Sequence, residues 1–178
     1  MRKLILYIAA SLDGYIARAD GALDWLPAPN SDTGDDYGYG ALMARCDTVL
    51  YGRKTYEFMQ AQGEQFIPDK TNYLFSRTWA DPLPPEVSLV ASPLAEIVSE
   101  LRRLPGTDLW LVGGGGLIAE ALAADLLDEI QLATVPVLLG EGIPLWAGGH
   151  PERSYELTSS RKAGGMLLSL YQKIIHRM

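Results

Sequence analysis

The 178 residues are 48% apolar with a mean hydropathy of +0.03, enough to bury one core, and the length predicts a single domain over residues 1–178. A formal charge of -7 and a pI of about 4.8 exclude the basic surface that a nucleic-acid partner requires. The single cysteine, Cys46, excludes a disulfide framework and a multi-cysteine zinc site, and as a small core residue it suits the reducing cytoplasm.

Met1-Arg2-Lys3 ahead of an apolar run imitates a signal peptide. The run Leu4-Ile5-Leu6-Tyr7-Ile8 is made of β-formers, however, and leads straight into more folded chain, so residues 4–10 are expected to form the first strand. Residues 19–34, with Pro27, Pro29, Asn30, Ser31 and Asp32, are the longest irregular segment, and such a loop inside a compact domain is more often functional than idle. A helical stretch is expected over 35–46, followed by short, continuously apolar strands over 48–51, 72–75, 87–90 and 109–112, the pattern of strands buried on both faces. Between the last two, Ser92-Pro93 is expected to cap a helix whose Leu94, Ile97, Val98, Leu101 and Leu104 recur at helical spacing until Pro105-Gly106 stops it. Residues 116–127 repeat the pattern with Ile118, Ala121, Leu122 and Leu126. Strands alternating with helices predict an α/β fold with a mostly parallel central sheet covered on both faces. The last third differs: residues 130–139 read as one long strand, and residues 155–163 and 166–175 flank Gly164-Gly165 as a C-terminal antiparallel hairpin, which makes the sheet mixed. No apolar run approaches the ~20 residues of a membrane span.

Three strand-to-helix turns bear on chemistry. Gly113-Gly114-Gly115-Gly116 follows an apolar strand and opens a helix, where backbone N–H groups and the helix dipole attract a phosphate and a Cβ would keep the backbone away from it. Its spacing fails the G-x-G-x-x-G fingerprint, because Ile118 takes the last glycine position, so an ordinary Rossmann domain is not expected. Gly52-Arg53-Lys54-Thr55 ends a second strand with a basic pair and a hydroxyl at a helix start, all able to hold phosphate oxygens. Ser76-Arg77-Thr78 follows a third strand, and an arginine there favours a 2′-phosphate, hence NADPH over NADH. His150 and His176 have no second ligand at chelating spacing, so no metal site is expected.

The phrase Ala9-Ala10-Ser11-Leu12-Asp13-Gly14-Tyr15-Ile16-Ala17, the Gly52-Arg53-Lys54-Thr55-Tyr56-Glu57 turn, the four glycines and the stretch from Pro136 through Gly140-Glu141-Gly142 to Leu145 together resemble the dihydrofolate-reductase-like superfamily. Within it they resemble the C-terminal reductase domain of the bifunctional riboflavin-biosynthesis deaminase/reductase; the zinc deaminase signature of the other half is absent. The resemblance implies an eight-stranded mixed sheet with flanking helices, NADPH across the ends of the central strands, and a small heterocyclic substrate, either the riboflavin-pathway ribosylaminopyrimidine or a dihydropterin. Carried over by position, it implies Ala9 near the nicotinamide, Gly52, Arg53, Lys54, Thr55, Ser76, Arg77 and Thr78 around the adenosine phosphates, Gly113, Gly114, Gly115 and Gly116 at the pyrophosphate, and residues 17–25 as a loop over the active site.

Counting back from Gly52 puts the superfamily's substrate-binding carboxylate at Asp36, whose bland alternative is a helix cap, as for Asp35. Asp24 beside Trp25 is the competing carboxylate, and Asp13 is expected to be a turn residue with Gly14. The expected activity is NADPH-dependent reduction, with a non-catalytic NADPH-binding sensor as the alternative. A homodimer is expected from the long strand over 130–139 and from the resemblance.

Overall fold

In the computed structural model, residues 1–27 and 34–174 are described, so Pro29, Asn30, Ser31, Asp32, Ile175 and His176 lie outside the described residues. The strands are β1 (Leu4–Ser11), β2 (Tyr15–Ala17), β3 (Cys46–Gly52), β4 (Thr71–Phe75), β5 (Val87–Val90), β6 (Asp108–Gly113), β7 (Glu129–Val135), β8 (Ile143–Pro144), β9 (Tyr155–Ala163) and β10 (Met166–Lys173). The helices are α1 (Tyr39–Arg45), α2 (Arg53–Ala61), α3 (Leu94–Arg103) and α4 (Gly115–Ala123). Eight strands form one sheet in the order β5-β4-β3-β6-β1-β7-β10-β9, while β2 pairs with β8 separately. Every pairing from β5 to β7 is parallel, and β10 runs antiparallel to both β7 and β9.

Strand periodicity divides the core. Leu4 and Leu6 of β1 join the cluster under α3 and α4, with Val98, Leu101, Ile118 and Leu122, whereas Ile5 faces the opposite way to Leu42, Tyr51, Tyr56 and Trp110 under α1 and α2. The apolar runs of the central strands thus serve two cores at once, which is why they do not alternate with polar residues.

The structure shifts several boundaries for physical reasons. The run expected over 130–139 ends as a strand at Val135, because Pro136 has no N–H to continue the ladder. Ser92 does not cap α3; Pro93 takes the boundary position, and the first free N–H, that of Leu94, donates to Glu120 Oε1 of α4 at 2.6 Å. This is a cap from a neighbouring helix, of the kind worth about 1 kcal/mol. Helix α4 ends at Ala123, and Asp125 turns to φ 57° so that the Leu126 N–H reaches Ala121 O at 2.9 Å. The hairpin turn is as expected: Gly164 and Gly165 have φ of 53° and 82°, the two positive values that a tight turn matching the strand twist requires.

Candidate active site

Because β3, β4 and β6 run parallel, their C-terminal ends meet at one edge of the sheet, and the three turns singled out above gather there. Tyr51 is the register partner of Gly113, so the Gly52 and Gly113 turns lie side by side and open α2 and α4 together. The Gly113-Gly114 peptide bond is cis. A methyl group on Gly114 would stand 3.4 Å from Thr55 Oγ1, and one on Gly115 would stand 3.3 Å from Ile143 Cγ2 of β8. The glycine turn therefore packs closely between α2 and β8, where a side chain at Gly114 or Gly115 would press on its neighbour, while Gly116 faces open space. Two helix N-termini so placed concentrate free N–H groups at one spot, the arrangement that holds a phosphate.

Arg53 ties the second and third turns. Its Nη1 donates to Thr78 Oγ1 at 2.9 Å, its Nε to Glu57 Oε1 at 2.6 Å, and its guanidinium lies 6.0 Å from the Trp79 ring. The Thr78 N–H donates to Ser76 Oγ at 3.2 Å, and the Ser76 N–H to Val90 O at 2.9 Å. Arg77 and Lys54 are exposed beside them. A guanidinium, paired on one side with Glu57, and two hydroxyls are thus grouped at a strand end, one strand from the glycine turn.

A cavity of about 350 Å³ lies on the α1 face of the sheet, where α1, only seven residues long, leaves β7, β10 and β9 partly uncovered. It is lined by Tyr7, Gln131, Ala133, Ser159 and Arg161 among others, and it is of a size that suits small ligands. It reaches the level of Ala9, since Ala133 is the register partner of Ala9 in the β1–β7 pair. Tyr7 donates weakly to Tyr37 O at 3.4 Å, and burial, followed by the nearby Asp36 carboxylate, pushes its hydroxyl up to about 12.

The predicted carboxylates separate. Asp24 is 64% exposed and forked by Arg18, Nε to Oδ1 at 2.6 Å and Nη2 to Oδ2 at 3.1 Å; it clasps its own loop and does not line the cavity. Asp36 accepts the N–H groups of Gly38 at 2.9 Å and Gly40 at 2.8 Å, which hold its carboxyl below the usual range, so it does cap the start of α1. Asp36 is exposed and, like Asp24, is not among the lining residues, but it stands within electrostatic reach of Tyr7 and Arg161, which are. Asp13 accepts from Ser11 Oγ at 2.6 Å and from the N–H groups of Leu139 at 3.1 Å and Gly140 at 2.8 Å. It is a turn residue that also fastens the β7–β8 loop.

Sequence reasoning missed Tyr7, Arg161 and Arg45 as cavity residues. Tyr7 had a usable signal, a hydroxyl two positions before Ala9 and so on the same strand face. Arg161 had none, because Arg161-Lys162 reads as ordinary solvated charge until the hairpin brings β9 to the cavity.

Comparison with known proteins gives a consistent answer. The chain is 35% identical over 164 residues to the uncharacterized protein YwjB of Bacillus subtilis (strain 168), covering 92% of this chain and 93% of that one. It is 33% identical over 176 residues to the uncharacterized protein YyaP of the same organism, covering 90% and 88%. Among solved structures, a protein of Shewanella sp. PV-4 provisionally assigned to riboflavin biosynthesis superposes with a TM-score of 0.86 at 30% identity, over 97% of this chain and 99% of that one. The Thermotoga maritima diaminohydroxyphosphoribosylaminopyrimidine deaminase/5-amino-6-(5-phosphoribosylamino)uracil reductase shares the fold, with a TM-score of 0.71 at 16% identity over 97% of this chain and 57% of that one. The fold is dihydrofolate-reductase-like, as these neighbours are. The sequence pattern of the RibD C-terminal domain matches residues 2–168, and the chain belongs to that family.

Proposed function

We propose that this protein is an NADPH-dependent reductase of a small heterocycle of aminopyrimidine or pteridine type, acting in the cytoplasm as a homodimer. The observation that carries the reading is the convergence of the Gly113–Gly116, Gly52–Thr55 and Ser76–Thr78 turns at one sheet edge, in a fold whose α1 face holds a cavity reaching the level of Ala9. The backbone N–H groups at the starts of α2 and α4 bind the pyrophosphate, and the side-chain-free glycine turn lets it approach. Arg53, Arg77 and the hydroxyls of Ser76 and Thr78 take the 2′-phosphate. When bound, NADPH supplies a hydride.

The heterocycle lies in the cavity between α1 and the sheet, with its ring plane against β1 and β7. Reduction of a C=N or C=O bond also needs a proton, and Asp36, ionised at neutral pH, orders the water that delivers it. Fluorescence titration of Arg53→Ala tests the cofactor reading. The variant is expected to weaken NADPH by about tenfold or more and NADH by much less, since one charge-assisted contact to the 2′-phosphate is removed. Equal losses for the two nucleotides would contradict it.

A further inference from the structure

Two arginines line the cavity and at first sight offer a home for a substrate phosphate, but each is gripped by carboxylates through two of its nitrogens, whereas Arg53 meets one carboxylate through one. Arg45 donates to both oxygens of Glu129, at 2.7 and 3.2 Å, and to Asp108 Oδ2 at 2.9 Å. Glu129 is only 1% exposed, so withdrawing Arg45 would strand a buried charge. Lys3 adds a third cation there, 3.9 Å from Glu129. At the opposite end Arg161 forks Asp35, with Nη1 on Oδ2 and Nη2 on Oδ1, and Asp36 lies close by. Asp35 and Asp36 are both held below the usual carboxylate range, Asp35 first by Arg161 and Asp36 first by the Gly38 N–H.

Four carboxylates thus stand behind the two lining arginines and Lys3 without themselves lining the cavity, in a chain whose net charge is already -7. A phosphate binding Arg161 would have to take it from Asp35 and then sit beside the Asp35 and Asp36 carboxylates, a like-charge arrangement that binding sites use to reject ligands. The other polar groups of the lining are neutral: the Tyr7 hydroxyl, the Gln131 amide, and the hydroxyls of Ser159, Ser160 and Ser169. Those groups match the amide and amino edges of an uncharged ring.

Resting on the reductase reading above, we propose that the cavity selects a heterocycle bearing no phosphate, and that Asp35 enforces the choice by occupying Arg161. The substrate class is then an unphosphorylated pterin or aminopyrimidine, and not a phosphoribosyl compound. Arg161 is a specificity-determining residue held in check by its partner.

The test is calorimetric binding of two probe pairs, 6-ribitylaminouracil with and without a 5′-phosphate, and 6-hydroxymethylpterin with and without a phosphate. For at least one ring, the wild-type protein is expected to bind the unphosphorylated form about tenfold tighter or more. Asp35→Asn is expected to tighten the phosphorylated form and narrow the gap. Adding Arg161→Gln to Asp35→Asn is expected to abolish the gain for the phosphorylated form, because the guanidinium that Asp35 releases is what would bind the phosphate. A merely structural clasp predicts something else: both variants break the same ion pair, so both would weaken every probe alike. The proposal is overturned if the wild type binds the phosphorylated form as tightly or more tightly, if Asp35→Asn does not tighten it, or if no probe binds. NADPH titration of the same samples separates the two readings, because loss of cofactor binding with the charge preference intact contradicts the reductase reading alone.

Discussion

Asp13 shows how one side chain links local turn chemistry to the site. Its carboxylate gathers a hydroxyl and two backbone N–H groups from Ser11, Leu139 and Gly140, and the Ser11 contact leads in pushing its pKa down to about 2. The unfolded value is about 3.9, so the folded pKa is depressed. The resulting stability is present above the unfolded value and is lost as pH falls through the folded one. Asp13→Ala is therefore expected to lower the urea midpoint at neutral pH, with the difference from wild type shrinking as pH drops from about 4 toward 2. A difference that stays constant across that range would contradict the assignment. The turn role was legible in the sequence, since Asp-Gly after a strand is turn chemistry. The anchoring of Leu139 and Gly140 was not, because those partners are 126 and 127 residues away. Asp36 is the opposite case: its cap was legible from residue type, and its closeness to Tyr7 and Arg161 only from the packing of α1 against the sheet.

Among the elements, the strands were legible wherever their surroundings are uniform. β3, β4 and β6 fall on the expected apolar runs because each is an interior strand of a parallel sheet, and burial leaves a continuous hydrophobic signature, whereas β5 is an edge strand with only Val87 buried and was legible from its β-forming residues. β7 is where that reasoning overreached, since apolar residues continue beyond Pro136 into a loop that leaves Leu138 69% exposed. The correction moves the expected dimer contact. β7 lies between β1 and β10 and has no free edge, whereas β9 is an edge strand of nine residues, of which residues 156–162 are all exposed. Antiparallel pairing of two copies of β9 about Ser159 would set Glu156 opposite Lys162, and it would remove an unprotected edge of the kind that proteins normally cover. Light scattering of the purified protein is expected to give twice the chain mass of 19.5 kDa. A mass of one chain at micromolar concentration would contradict the dimer.

At the scale of the whole molecule, the proposed function depends on an imbalance between the two faces of the sheet. α3 and α4 cover one face across its centre, while α1 and α2 cover only part of the other, so a cavity remains over β1, β7, β10 and β9 on the α1 face. The three strand-to-helix turns were readable because each is a contiguous stretch of chain with its own backbone demands. The cavity was not, since its walls come from β1, α1, β7, β9 and β10, and they meet only through register and hairpin geometry. Both halves are needed for a reductase. The most direct measurement is a titration of the wild-type protein with NADPH, followed by the loss of reduced-nicotinamide absorbance on addition of unphosphorylated aminopyrimidine and dihydropterin substrates. Saturable NADPH binding, with oxidation driven by at least one of these compounds, is the predicted result. Absence of NADPH binding, or binding without oxidation by any of them or by their phosphorylated counterparts, would contradict the account.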